Sequence, residues 1–290
     1  FPMFFHTEQK YRSLILGMIA RKRQSKVSPQ SSTNGNPYTL FMTLKTGLAE
    51  MVEAVVDQSP DILFQTGIKV QEVKRISSNE PKWKVSLENG NEITADAVIL
   101  ASPAHVTSKL IQGFTPHVAS LLEEITYVST AAVTLAYHKK SFPHPLDGFG
   151  FLVPRAENRN IKACTWTSTK FPQRAPKDFV LLRCYIGGAL QQELAEHNSE
   201  TLENMVKEDL KDIMGIDRKP FFVRVYANQK ANVQYHVGHA EKIGRIENEL
   251  KLFPGIYLAG SAYKGIGIPD CITNGTLAAG SALSQFTRPE

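Results

Sequence analysis

The chain has 290 residues, 42% apolar and 21% charged, with a formal net charge of +5. That balance fits an ordinary soluble globular protein of one large domain or two of usual size. It offers no basic stripe with interleaved aromatics for nucleic acid, and no apolar run reaches the roughly 18–20 residues that cross a bilayer. The densest basic cluster, Arg21-Lys22-Arg23 with Lys26 nearby, reads as a solvated loop. Cys164, Cys184 and Cys271 lack C-x-x-C spacing and read as reduced thiols of a cytosolic protein. The start, Phe-Pro-Met, carries no signal-peptide pattern and suggests a piece of something longer.

Residues 5–24 carry a helical stripe of Tyr11, Leu14, Ile15, Met18 and Ile19, and residues 24–37 read as a polar loop. A second helix is expected over 45–57, with Leu48, Met51, Val52, Val55 and Val56 facing a core. Strands follow at Ile62–Phe64 and Ile68–Ile76, then at Trp83–Leu87 and Glu92–Ala95 around the hairpin signal Asn89-Gly90. The run Ala97–Ala101 suits a strand buried on both faces, and a helix is expected to begin at Ser102-Pro103. Val128–Tyr137, Gly148–Val153, Ile161–Trp166 and Phe179–Ile186 read as strands. Residues 199–214 form an amphipathic helix with Ser199 as N-cap and Gly215 as terminator. Phe221–Tyr226 reads as a strand and Ala240–Leu252 as a helix.

The segment 253–280, FPGIYLAGSAYKGIGIPDCITNGTLAAG, is the most informative. The strand Ile256 to Ala259 runs into Gly260, a loop follows with Gly265 and Gly267, and Pro269-Asp270 opens a helix of small residues. Such a turn aims backbone N–H groups and the positive end of a helix at an anion or an electron-rich ring, and glycine allows close approach. No G-x-G-x-x-G after a strand occurs in the chain, so the usual pyrophosphate-binding turn is missing.

This string resembles the C-terminal flavin motif of the protoporphyrinogen/coproporphyrinogen oxidase family. Further stretches resemble the same family: Phe1-Pro2 with Ser13-Leu14-Ile15 and Gly17-Met18, Phe41–Leu48, Trp83-Lys84-Val85, Ala97–Pro103, and Gly148–Pro154 (GFGFLVP). Ala163–Ser168 (ACTWTS) and Gln234–His239 (QYHVGH) look like its Gram-positive bacterial branch. The resemblance implies an α/β (α+β) chain. An incomplete Rossmann-like FAD-binding domain would comprise residues 38–110 and 240–290, and a mixed-sheet substrate domain residues 1–37 and 111–239. It implies FAD as cofactor, contacted by Val70, Gly260, Ile266, Gly267 and Ile268. Phe149, Leu152, Thr165 and Tyr185 would line a macrocycle pocket. It implies aromatisation of a porphyrinogen in heme biosynthesis, coproporphyrinogen III before protoporphyrinogen IX, with molecular oxygen reoxidising the flavin. No acid or base is assigned. A cytoplasmic location with peripheral membrane or heme-pathway enzyme contact is compatible with it, and no nucleic acid is implied. The family has a proline before its Gln-Tyr pair where Val233 stands here, which weakens a cofactor contact expected near Asn228.

Plainer readings accompany these. Asp270 is an ordinary first-turn acid, Cys164 and Cys271 are packed thiols, and His236 and His239 lack a third metal ligand. A flavin-free porphyrin-binding remnant is the alternative from another class. A third reading is an amine oxidase, in which only Tyr263 could serve as the aromatic facing the flavin. Lacking the pyrophosphate turn, the 290 residues on their own are expected not to hold FAD tightly; a stoichiometric flavin absorption near about 450 nm on the purified chain would contradict this.

Overall fold

The computed structural model describes residues 2–25, 42–77 and 82–286. The chain divides into two compact units, residues 1–43 and 44–290. In the first, the single helix expected over 5–24 is two: α1 (Pro2–Tyr11) and α2 (Leu14–Ser25). Arg12 breaks the run in a left-handed conformation, φ 53°. Ser13 then opens α2 by accepting the Leu16 N–H on its Oγ at 3.4 Å. The loop read over 24–37 lies almost wholly outside the described residues.

The second unit opens with α3 (Ala49–Asp57), where a helix was expected. Its apolar stripe does not face a core: Leu48, Val52, Val55 and Val56 are exposed, and no residue of α3 is buried. A stripe is buried only by what packs over it. Ile62–Phe64 forms no strand either. An antiparallel sheet follows, β1 (Val70–Ser77), β2 (Lys82–Leu87) and β3 (Glu92–Ala95), with Gly90 at φ 83° in the expected turn. Next, β4 (Val98–Leu100) pairs in parallel with β10 (Ile256–Leu258). The apolar run at 97–101 is therefore covered less fully than expected, and Ile99 is 40% exposed. Pro103 precedes α4 (Ala104–Ile111) as anticipated, and α5 (Pro116–Glu123), unexpected from the sequence, follows.

A five-stranded sheet comes next, in the order β6-β7-β8-β5-β9. Its strands are β5 (Tyr127–His138), β6 (Gly150–Leu152), β7 (Ile161–Trp166), β8 (Phe179–Gly187) and β9 (Phe222–Val233). The short α6 (Thr167–Lys170) links β7 towards β8. The amphipathic α7 (Ser199–Met214) packs on one face of this sheet through Leu202, Val206 and Leu210, all fully buried. Its N-cap is Asn198 rather than Ser199, since the Asn198 side chain accepts the Thr201 N–H at 2.9 Å. Gly215 ends it at φ 67°. The last helices are α8 (His239–Leu250) and α9 (Ile268–Ser284).

Two hydrophobic cores result. The first gathers Val73, Trp83, Leu100, Ile111, Leu122 and Ile246 with their neighbours; α5 belongs to it. The second holds the inner face of the five-stranded sheet against α7. Tyr127 and Val233, paired at one end of β5 and β9, pack on the first core while the rest of β5 serves the second. The two cores are therefore joined by continuous strands.

Trp83 anchors the antiparallel sheet to the parallel pair by donating from Nε1 to the Pro254 carbonyl at 3.1 Å. Gly255 sits beneath it at φ 92°, where a Cβ would come within 2.6 Å of Trp83 Nε1. Gly255→Ala should cost more than about 1 kcal/mol through left-handed strain and displacement of the indole. A thermal melt within experimental error of wild type would disprove the anchor.

Candidate functional site

The glycine-loop segment is built as the sequence suggests. Leu258 pairs with Leu100, and Ala259 continues the ladder by donating to the Leu100 carbonyl at 3.1 Å. The chain turns at Gly260, φ 111°, and again at Gly265, φ 101°, before α9 begins. Gly267 is the N-cap, but its φ of −73° is open to any residue. The glycine that this turn requires is Gly265, where a Cβ would meet the Asp270 carboxyl carbon at 2.5 Å.

Asp270 accepts the Gly267 N–H at 3.2 Å, the capping role expected of a first-turn acid. Asn274 donates from its side chain to the Lys264 carbonyl at 3.0 Å, tying the loop to its helix. The first turn of α9 leaves N–H groups without intrahelical partners, at the positive end of the helix. Ile266 and Ile268 stand exposed beside it, at 65% and 43%. Four of the five expected cofactor contacts, Gly260, Ile266, Gly267 and Ile268, thus share one turn. Val70 lies apart, at the head of β1 and packed on the first core.

Tyr235 braces this loop, and the sequence reading missed it. Its hydroxyl donates to the Ser261 carbonyl at 2.6 Å and accepts the Gly265 N–H at 3.0 Å, so one group clamps both limbs of the turn. Burial pushes the Tyr235 hydroxyl pKa above its ordinary value, against an opposing pull from the Gly265 N–H. The His239 ring stacks on Tyr235 at 3.9 Å between centroids, and its Nε2 lies 3.2 Å from the Tyr263 carbonyl. This accounts for Tyr235 and His239 of QYHVGH. No group of metal-binding side chains occurs among the described residues. Tyr263 turns inward: it is 6% exposed, and burial pushes its hydroxyl pKa up to about 12. It is therefore unavailable as an aromatic wall facing a ligand.

Three of the four substrate residues named from the sequence share the other face of the five-stranded sheet. Even-numbered residues of β8 point into the second core, so Arg183 and Tyr185 point away from it. Leu152 pairs with Ala163, Ala163 with Tyr185, and Thr165 with Arg183. Leu152, Thr165 and Tyr185 therefore share one open face, and Leu152 is 82% exposed. Phe149 precedes β6, half-exposed, and its carbonyl accepts the Trp166 N–H at 3.0 Å. Cys164 and Cys184 are buried cross-strand neighbours, and the hydrogen bond with Cys164, together with burial, holds the Cys184 thiol well above its ordinary pKa.

Residues 1–283 match the family described as flavin containing amine oxidoreductase. Over 287 residues, 99% of this chain and 59% of the relative, the sequence is 35% identical to the coproporphyrinogen III oxidase of Bacillus subtilis (strain 168). It is 28% identical over 305 residues to protoporphyrinogen oxidase 2 of Arabidopsis thaliana, covering 99% of this chain and 60% of that protein. A crystal structure from Exiguobacterium sp. 255-15, titled as a protoporphyrinogen oxidase assignment, superposes with a TM-score of 0.81 at 30% identity, covering 98% of this chain and 58% of that one. The chain thus spans about three fifths of the length of the relatives it matches.

Tyr235→Phe removes both clamps at once. Amide exchange at Gly265 should accelerate by up to about tenfold, the size of one net hydrogen bond, with little change in the melting temperature. Unchanged exchange at that amide would show that the hydroxyl does not hold the turn.

Proposed function

Because the chain belongs to the flavin containing amine oxidoreductase family, we propose that the complete protein is an FAD-dependent porphyrinogen oxidase that converts coproporphyrinogen III to coproporphyrin III in heme biosynthesis. The observation that carries this reading is the 35% identity with the Bacillus subtilis coproporphyrinogen III oxidase across 99% of the chain. Protoporphyrinogen IX is the second substrate reading, favoured by the 28% identity with the Arabidopsis enzyme.

The residues fit a flavin. Gly260, Gly267 and the flanking Ile266 and Ile268 present backbone and apolar edge at a helix N-terminus, a suitable setting for a planar ring that gains negative charge on reduction. Val70, apart from that turn at the head of β1, would meet the adenine end of the cofactor through its backbone. When bound, FAD supplies the two-electron acceptor that the amino acids lack. The chain's own contribution is positioning. The Asp270 cap and the Tyr235 clamp engage the Gly267 and Gly265 N–H groups and hold the loop, so the remaining N–H groups of the loop and of the first turn of α9 are oriented before any ligand arrives. Leu152, Thr165, Tyr185 and Phe149 supply apolar and aromatic surface for a flat macrocycle.

In this reading, residues 38–110 and 240–290 belong to the cofactor domain and residues 1–37 and 111–239 to the substrate domain. Molecular oxygen is the acceptor. No helix among the described residues is long and apolar enough to cross a membrane. The proposed location is cytoplasmic, with peripheral contact to a membrane or to another enzyme of heme synthesis.

Steady-state oxidation of the two porphyrinogens by the complete protein tests the reading. A larger kcat/KM for coproporphyrinogen III supports it, a large preference for protoporphyrinogen IX reassigns the substrate, and no turnover of either removes it. Gly265→Ala should lower flavin occupancy, because its Cβ would meet Asp270 at 2.5 Å and loosen the cap. Wild-type flavin content in this variant would detach the loop from the cofactor.

A further inference from the structure

The open face of the five-stranded sheet carries a charge pattern that the family likeness did not bring to attention. Directly opposite residues of adjacent strands share a face. Thr134 of β5 pairs with Arg183 on one side and Arg224 on the other. Two residues along, Ala132 pairs with Tyr185 and Tyr226 in the same way. Two parallel rows result: arginine–threonine–arginine and tyrosine–alanine–tyrosine. Both rows are low in the middle and raised at the sides. Arg183, Arg224, Tyr185 and Tyr226 are all exposed, while Val223 and Val225, alternating with Arg224, pack on the second core.

Strands lie about 4.8 Å apart, so the two arginines, separated by β5, stand roughly 10 Å apart at their α-carbons. Arg183 donates from Nε to the Thr134 hydroxyl at 3.3 Å, and the residue is exposed. Arg224 lies over the ring of Phe222 at 5.8 Å. Among the described residues neither guanidinium has a carboxylate partner within 4 Å. The sequence explains this: none of the five strands contains an Asp or a Glu. Two arginines without a carboxylate partner, on strands that hold no acid and beside two exposed tyrosines, offer donors about 10 Å apart for a broad ring that carries carboxylates.

We infer that Arg183 and Arg224 each bind one propionate carboxylate of the porphyrinogen, with Tyr185 and Tyr226 flanking the macrocycle above Ala132. This rests on the porphyrinogen reading of the preceding subsection. It assigns the polar edge of the site to two residues that neither the motif nor the relatives' names mark. Recognition is by charge and fork geometry, and no bond is made or broken.

The test uses the complete protein and two probes. Coproporphyrin III carries the propionates; its tetramethyl ester keeps the ring and removes the charges. Fluorescence titration should show Arg183→Gln and Arg224→Gln each weakening coproporphyrin III binding by about tenfold or more, with ester binding within about twofold of wild type. Lys at either position should recover only part of the loss, because it keeps the charge and loses the fork. In turnover the Gln variants should raise KM more than they lower kcat. Coproporphyrin III affinity unchanged in both Gln variants overturns the arginine assignment alone. So does an equal loss for the ester, which would report damage to the trough. A wild-type protein that binds neither probe and oxidises no porphyrinogen removes the substrate reading and this inference with it.

Discussion

The rest of the larger unit depends on β5. It is hydrogen-bonded on both edges, to β8 and to β9, and its alternate residues go to opposite destinations. Ala131, Val133, Leu135 and Tyr137 enter the second core, and Ala132 and Thr134 form the floor of the open face. Because side chains alternate with a period of two, a one-residue slip would exchange core and floor, and burial of one face fixes the register. The arrangement of Arg183, Arg224, Tyr185 and Tyr226 is therefore a consequence of core packing on the far side of the same strand. At the other end, Tyr127 reaches the first core and its hydroxyl accepts the Ala104 N–H at 2.9 Å. One strand thus ties the sheet to the lobe that holds the glycine loop.

The loop packs into the first core through Ala262 and Tyr263, and small polar contacts hold the limb from Lys264 to α9. Asp270, Asn274 and Tyr235 each satisfy a backbone group of the turn, while its apolar members Ile266 and Ile268 remain exposed. A turn held in this way keeps its shape without covering the surface a ligand would use. β9 connects the two regions in sequence. It carries Arg224 and Tyr226 on the open face, and Tyr235 follows two residues after its end. A bulge near Ser129, whose Oγ accepts the Lys230 N–H at 3.1 Å, interrupts the β5–β9 register between these regions.

Much of this was legible where local chemistry decides. Asn89-Gly90, Pro103 and Gly215 mark a turn, a helix start and a helix end because each has few alternatives there. The 253–280 turn was legible for the same reason, apart from which glycine it needs. Gly265 and Gly267 look alike as loop glycines, and only backbone angles show that the turn needs the first. Burial was less legible. The stripe of α3 and the apolar run at β4 read as core because periodicity reports which residues share a face, not what covers that face.

The open face shows a different limit. Tyr185 could be named in advance from the family likeness, and the period of two puts Arg183, two residues earlier, on the same face of β8. Arg224 could not be reached that way. Its place opposite Thr134 depends on the pairing of β9 with β5, far apart along the chain, and pairing partners are set by the whole sheet. The sequence still held one usable sign. Five strands without a single Asp or Glu, but with an exposed arginine on each of two of them, describe a surface with positive charge left unbalanced. An exposed guanidinium in water needs no partner. Two of them aligned across a rigid strand, with small residues between, require the ligand to bring its charges at matching separation, so charge and spacing together set what can bind.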